Sequence, residues 1–233
     1  HFELLANRVA NAVDQYRSRR RAADLERLRT LASDVNQVLV RASTRAEIER
    51  RIPEVITESE PYKMVLTTRA DPDSGDLEAR SWAGLGADAI DPPPDAVDFA
   101  PGERPQPVTR AVEEHEIGIS QDVKTDPDFE PWQETATEFG FRAFAAVPLV
   151  FEETLYGVLV LVTDRSNAFD ESERSLLREL GDDIAHAIHA ATVKTELRES
   201  KERFQALFEN APGPVIAGAV QQGGDRHEIY AVN

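Results

Sequence analysis

The sequence predicts a mixed α/β protein of the α+β kind, with a central antiparallel sheet flanked by helices and a long helix at each end of the chain. Three observations predict it. Two pairs of β-rich runs are each joined by a short polar turn, the pattern of hairpins. Apolar residues recur at spacings of three and four over both ends of the chain, the pattern of amphipathic helices. Between the second hairpin and the last helix stands Ala168-Phe-Asp-Glu-Ser-Glu, where Asp170 is a natural N-cap with Glu173 three residues on.

Residues 1–59 read as helical. Phe2, Leu5, Val9, Ala12 and Tyr16 form one heptad stripe, which breaks at Arg17-Ser-Arg-Arg-Arg. A second stripe in another phase runs Leu25, Leu28, Ala32, Val35, Leu39, Ala42. Ser43 or Thr44 caps the next helix, about Arg45 to Ser59, with Glu47 placed for a capping box on Thr44 and Pro53 as a kink point. Tyr62 to Arg69 and Asp76 to Ala83 are strands around the turn Asp71-Pro-Asp-Ser-Gly. Residues 84–107 are rich in Gly, Pro and Asp and read as a long loop. Val108 to His115 is a short helix, Ile117 to Val123 a strand, and a further short helix starts near Pro131. Arg142 to Val150 and Leu155 to Val162 form the second hairpin. The closing helix carries Leu177, Leu180, Ile184, Ala187 and Ala191 on one face, then shifts phase to Val193, Leu197, Phe204 and Leu207 and runs to Glu209. Asn210-Ala-Pro-Gly-Pro stops it, and Val215 to Val220 with His227 to Val232 read as two short strands.

Composition narrows the function. A hydrophobic share of 41% suffices for a packed core, and no apolar run reaches membrane-spanning length. The absence of cysteine excludes disulfides, thiolate zinc sites, thiol catalysis and thioether-attached chromophores from this chain. The net charge is −17, and lysine stands only at Lys63, Lys124, Lys194 and Lys201. Such acidic, lysine-poor composition resembles the cytosolic proteins of extreme halophiles, whose surfaces salt must screen. Phosphate is repelled by it, so nucleic acid is not expected as a direct partner. The chain begins at His1 and ends inside what reads as half a hairpin, so an excerpt of a longer cytoplasmic protein is expected.

The order of elements over residues 25–192 resembles a GAF domain. The resemblance rests on Gly140-Phe-Arg-Ala-Phe-Ala-Ala-Val-Pro-Leu, Leu155-Tyr-Gly-Val-Leu-Val-Leu, Ala168-Phe-Asp, Glu173 with Leu176-Leu177, and upstream Asp122-Val, Asp126-Pro and Trp132. Residues 210–233, led by Ser200-Lys-Glu-Arg-Phe and Leu207-Phe-Glu-Asn-Ala-Pro, resemble the first strands of a PAS domain, joined by a connecting helix over 193–209. Residues 1–24 are a helical linker, and Leu4-Leu5-Ala-Asn-Arg-Val resembles the last helix of a receiver domain. The resemblance implies a sensing and relay module of a two-component signalling protein, with a histidine kinase or a DNA-binding regulator as output. GAF domains bind cyclic nucleotides, tetrapyrroles, haem, metals or metabolites, or only dimerise, and the fold does not choose. The bilin-binding and methionine-sulfoxide-reducing subtypes use cysteines, so no covalent bilin is expected and the cofactor is left open. Of the cyclic-nucleotide motif, only Asp122 and Phe129 are loosely kept in Ile119-Ser-Gln-Asp-Val-Lys-Thr-Asp-Pro-Asp-Phe.

No nucleophile with a base, no P-loop and no dinucleotide motif stands in the sequence, so no catalytic residues are assigned. Asp182, His186 and His189 lie on one helix face, but a solvated face is preferred over a metal site. Asp71, Asp73, Gly75 and Asp76 fail the spacing of a calcium loop, because positions six and twelve are Asp76 and Trp82. The cluster Arg17, Arg19, Arg20, Arg21 reads as a helix junction, with nucleic-acid contact as the weaker alternative. Arg80 and Trp82 alternate along a strand and are expected on one sheet face. With Ile119, Asp122, Phe129, Trp132, Phe141 and Arg142 they form the candidate small-molecule site, between the sheet, loop 84–107 and segment 119–142. The alternative is a ligand-free relay that forms a homodimer through its terminal helices, the leading stripe packing on its own copy or on the trailing helix.

Overall fold

The structure is a computed structural model. It describes residues 23, 26–59, 61–72, 74–84, 104–209, 215–217 and 230–232. The chain divides into two units, His1–Ala191 and Thr192–Asn233. The stripe over residues 2–16, the cluster Arg17 to Arg21, and the loop residues 85–103 lie outside the described residues, as do Leu25 and Asp73.

The first unit is built on a five-stranded antiparallel sheet in the order β2-β1-β5-β4-β3. Its strands are β1 Tyr62–Ala70, β2 Leu77–Gly84, β3 Gly118–Ser120, β4 Ala143–Phe151 and β5 Thr154–Thr163. Leading helix α1 (residues 26–41), α2 Arg45–Thr57 and the first half of trailing helix α5 Glu171–Glu209 cover one face. α3 Gln106–Glu113, a 3-10 helix Pro127–Trp132 and α4 Gln133–Glu138 cover the other. The fold class and both hairpins therefore stand as the sequence predicts.

Strand alternation separates two cores. On the helix side Val65, Ala143, Ala145, Val147, Leu159 and Leu161 meet α2 through Ile48, Ile52 and Ile56, and α5 through Leu177, Leu180, Ile184 and Ile188. The leading helix joins this core. Its buried face is Leu28, Leu31, Val35 and Val38, while Ala32, Leu39 and Ala42 sit at the margin. The expected stripe is thus widened and rotated. A straight helix of period 3.6 on a broad surface buries a wider band than a heptad seam. The trailing helix of the same chain, one of the two expected partners for this stripe, shares this core with it. On the other side Leu66, Val108, Ala111, Val123, Phe129, Phe144, Val158 and Val160 form the second core.

Local signals explain the joints. Thr44 caps α2 by accepting from the Glu47 amide at 3.2 Å, and the Glu47 carboxylate reaches back to the Ser43 amide at 3.0 Å. Pro53 lies inside α2 and has no amide to give the Glu49 carbonyl four residues back. The Thr67 hydroxyl from β1 donates to that carbonyl at 2.8 Å. The β1–β2 register shifts between Thr67 and Thr68, and the Thr68 hydroxyl both accepts from the Val158 amide (2.9 Å) and donates to its carbonyl (3.0 Å). Asp170 caps α5 by accepting from the Glu173 amide at 3.0 Å. Where α5 crosses β4, a Cβ on Gly181 would lie 2.7 Å from a Val147 methyl, so any larger residue would force a shift there. β3 is shorter than its β-rich run, because Asp122 accepts from the Lys124 amide and turns the chain.

In the second unit β6 Val215–Ala217 pairs antiparallel with β7 Tyr230–Val232. Both described strands fall within the two expected ones.

Candidate functional site

The sheet face opposite the long helices gathers most of the candidate residues. Phe129, Phe141 and Phe144 are buried there, with Trp82, Trp132 and Phe139 packed at the margin. Phe129 meets Phe144 edge-on at 4.9 Å, and Phe139 stacks on Phe141 at 5.7 Å. The 3-10 helix places Phe129 and Trp132 by one local device: Asp126 caps it through the Asp128 amide, and Pro127 fixes its first turn.

Asp122 and Arg142 form the polar part. The guanidinium makes a two-pronged contact, Nε to Oδ1 at 3.1 Å and Nη2 to Oδ2 at 2.5 Å. Its hydrogen bonds hold the Asp122 carboxyl below the usual carboxylate range, and Asp122 in turn raises Arg142. The pair also staples the turn after β3 to the start of β4, alongside the bond from the Val123 amide to the Arg142 carbonyl. Next in line is Ser120, opposite Phe144 in the register. Its hydroxyl is buried and has no hydrogen-bond partner among the described residues. An unsatisfied buried hydroxyl costs about 1–3 kcal/mol.

Two candidates lie elsewhere. Ile119 packs with the helix-side core, because it alternates with Ser120. Arg80 does not share a face with Trp82. The β1–β2 register pairs Thr67 with Ser81 but Thr68 with Ala79, so Arg80 is the extra residue of a bulge. The bulge lets Ala79 and Trp82 both reach the second core and turns Arg80 toward Glu49 of α2.

Glu49 is a site residue that sequence patterning missed. It is 3% exposed and is ringed by three arginines: Arg45 Nε at 2.6 Å, Arg69 Nη2 at 2.6 Å and Arg80 Nε at 3.8 Å. Arg45 also donates to the Tyr156 carbonyl at 2.8 Å. The signal available was a glutamate on the apolar face between Ile48 and Ile52. A second buried carboxylate, Glu173, accepts from Tyr62 and from Arg27 of α1 at 2.7 Å. Its amide serves the expected cap, but its side chain serves this triad instead of a capping box.

His186 and His189 do not converge on a metal site. Both stack on Phe151, at 5.1 and 4.5 Å, and His189 Nδ1 lies 2.7 Å from the Tyr156 hydroxyl. Among the described residues no group of three or more His, Asp or Glu is arranged to hold a metal ion, and no helix is long and apolar enough to cross a membrane. The turn of β1–β2 is an ordinary polar hairpin turn: Asp71 accepts from the Ser74 and Gly75 amides, and Gly75 holds φ +72°.

The model of the family described as "GAF domain" matches residues 42–189. A "Putative transcriptional regulator" of Haloferax volcanii is 31% identical over 179 residues, covering 76% of this chain and 29% of that protein. The "Bacterioopsin transcriptional activator" of Halobacterium salinarum is 30% identical over 198 residues, covering 83% of this chain and 27% of that protein. The chain therefore spans under a third of the length of these curated relatives. Among solved structures, the GAF domain of a phosphoenolpyruvate-protein phosphotransferase from Coxiella burnetii superposes with a TM-score of 0.57 at 20% identity, over 74% of this chain and 96% of that one. A free methionine-R-sulfoxide reductase from Neisseria meningitidis, solved with its substrate, superposes with a TM-score of 0.59 at 20% identity, over 72% of this chain and 91% of that one. At such identity the likeness is one of fold.

Proposed function

This chain belongs to the GAF domain family, and from that premise we propose that it senses a small molecule and relays its binding within a halophilic transcription regulator. The observation that carries the sensing part is the buried, unpartnered Ser120 hydroxyl beside Phe129, Phe144 and the Asp122–Arg142 pair. That combination of an apolar wall with a few polar groups is what small-molecule sites are made of. The ligand is held by Trp82, Phe129, Trp132 and Phe141 as ring or apolar contacts, with Asp122 and Arg142 orienting it. Binding on this face changes how β3, β4 and β5 sit under α1 and α5, which is the route to the output. The names of the two haloarchaeal relatives favour a transcription regulator as output over a histidine kinase. In this reading residues 210–233 open a PAS domain that follows the connecting helix, and the protein works in the cytoplasm.

The test is a thermal-shift screen of nucleotides, haem and metabolites in molar potassium chloride. A hit is expected to raise the melting temperature of the wild-type chain and to lose its effect in S120V and R142Q. A hit whose shift survives both substitutions, or a screen with no hits, counts against the reading.

A second reading is favoured by a separate observation. Val193, Leu197 and Phe204 of α5 are 47%, 69% and 59% exposed. They form the apolar stripe of the connecting helix, and a second copy of the chain is its natural cover. A ligand-free relay that only dimerises explains this stripe and leaves Ser120 unexplained.

A further inference from the structure

We infer that the groove between the first turns of α5 and the β3–β4 edge is a second binding site, which takes a small organic anion with an apolar body. It lies on the helix side of the sheet, away from Ser120 and the aromatic cluster, and does not depend on the sensing site proposed above.

The groove encloses about 430 Å³, within the span of roughly 300–1,000 Å³ usual for small-molecule sites. Its floor is apolar: Ile117, Ile119, Pro148 and Val150 are only half-buried there and keep apolar surface open to the groove. Its rim carries Arg110, Arg174 and Arg178 together with Glu116 and Asp182, and the arginines on it are not equivalent. Arg110 is already neutralised, with Glu114 at 3.0 Å and Glu116 in contact. Arg174 is half-buried, and its Nε donates to the Phe169 carbonyl at 3.2 Å, which fixes the guanidinium and leaves its Nη groups over. Arg178, one turn further along α5, forms no ion pair among the described residues, although Asp182 is four residues on.

Elsewhere several half-buried arginines find carboxylates. Arg27 has Glu173, Arg45 and Arg69 have Glu49, and Arg142 has Asp122. In a chain with 43 acidic against 26 basic residues, carboxylate partners are plentiful. Arg174 and Arg178 form no ion pair among the described residues, although Asp182 lines the groove with them. Residues four apart on a helix lie about 5–6 Å apart at Cβ, a spacing from which two guanidinium groups converge on one carboxylate. The floor beneath them favours an anion that carries a ring or a branched chain over a bare inorganic ion.

Benzoate, its uncharged counterpart benzamide, and inorganic phosphate separate the contributions. Each is titrated into the full 233-residue chain in molar potassium chloride, and amide NMR shifts are followed. Benzoate is expected to move the amides of Ile117, Ile119 and Val150 saturably. Benzamide and phosphate are expected to bind roughly tenfold or more weakly, as loss of a charge-assisted contact or of apolar burial requires. Arg178 is exposed, so R178Q keeps the fold and is expected to weaken benzoate by a similar factor. Benzamide or phosphate binding as well as benzoate overturns the inference, as does R178Q binding unchanged. Benzoate shifts confined to Phe129 and Trp132 overturn it too and instead support the sensing site. A groove that binds benzoate while the thermal-shift screen fails leaves this inference standing and removes only the other.

Discussion

The Tyr62 hydroxyl donates its hydrogen bond to the Glu173 carboxylate with both side chains buried, 3% and 4% exposed, and so the first residue of β1 is tied to the first turn of α5. Arg27 closes the triad from α1 at 2.7 Å. One carboxylate thereby holds the leading helix, the sheet and the trailing helix together. Removing it takes a shared acceptor from a partly buried guanidinium and a buried hydroxyl. E173A is expected to cost about 3–5 kcal/mol, in the range for breaking one partner of a buried pair. Y62F keeps the ion pair and is expected to cost about 1 kcal/mol. Urea denaturation at fixed high salt measures both, and equal losses would show that the ion pair contributes nothing of its own.

The same triad sets an alkaline limit. Burial, and then the neighbouring Glu173 charge, push the Tyr62 hydroxyl well above its ordinary value of 10.0. A group whose proton is held more tightly in the folded state contributes stability that is complete below the unfolded value. That stability is lost as pH rises toward the folded value, because the unfolded chain releases the proton first. Stability of the wild-type chain is therefore expected to decline above about pH 10, and Y62F to show a shallower decline. Parallel slopes for the two proteins would remove Tyr62 as the cause.

Glu49 tests whether the bulge in β2 has an electrostatic purpose. E49Q leaves Arg45, Arg69 and Arg80 around a neutral amide and is expected to cost about 3 kcal/mol or more. R80A removes the longest contact, 3.8 Å from a side chain one-third exposed, and is expected to cost under about 1 kcal/mol. Chemical denaturation of both variants gives the comparison. A larger loss for R80A than for E49Q contradicts this ranking.

The difference between what was legible in the sequence and what was not follows from range. Both hairpins, the cap at Thr44, the cap at Asp170 and the unbroken helix to Glu209 rest on neighbours in the chain, and all are present. Phe129, Trp132 and Phe141 were named together as candidates, and they do share the second core, although the short helix expected near Pro131 is preceded by a 3-10 turn from Pro127. Arg80 was misplaced because a bulge inserts one residue into the count, and nothing near Arg80 in sequence announces it. Ile119 was named as a candidate without a face, and the structure packs it with the helix-side core. Glu49, Ser120 and the Tyr62–Glu173 pair were invisible for a further reason. Their significance depends on partners up to 111 residues away, or on having none.

Asp122 supplies an acid limit. Hydrogen bonds from Arg142 hold its carboxyl below the ordinary value of 3.8. A depressed carboxyl contributes stability above the unfolded value and loses it as pH falls through the folded value. The wild-type chain is therefore expected to lose a component of stability below about pH 4, and D122N to lack it. Because the pair is partly open to solvent, raising the salt is expected to shrink this component. Acid titrations followed by far-ultraviolet circular dichroism at two salt concentrations check both statements, and a D122N acid limb identical to wild type refutes them.

The last prediction concerns assembly. The apolar face of α1 is spent within its own chain, since Leu28, Leu31, Val35 and Val38 are all buried in the core beneath it. Dimerisation through that face would require α1 to leave the domain and expose those side chains, at about 1.5–3 kcal/mol for each. The trailing helix is different. Leu177, Leu180, Ile184 and Ile188 are covered by the sheet domain, but Val193, Leu197 and Phe204 are open. A dimer is therefore expected to form through residues 193–209 and not through 26–41. L197D and F204D are expected to convert a dimer to a monomer in light scattering at high salt while leaving the melting temperature of the sheet domain within a few degrees. Substitution of Val35 by Ala is expected to do the reverse, lowering stability by about 1–3 kcal/mol without changing the mass. A monomeric wild-type chain at high micromolar concentration, or a dimer that survives both aspartate substitutions, overturns the assignment of this interface to the trailing helix.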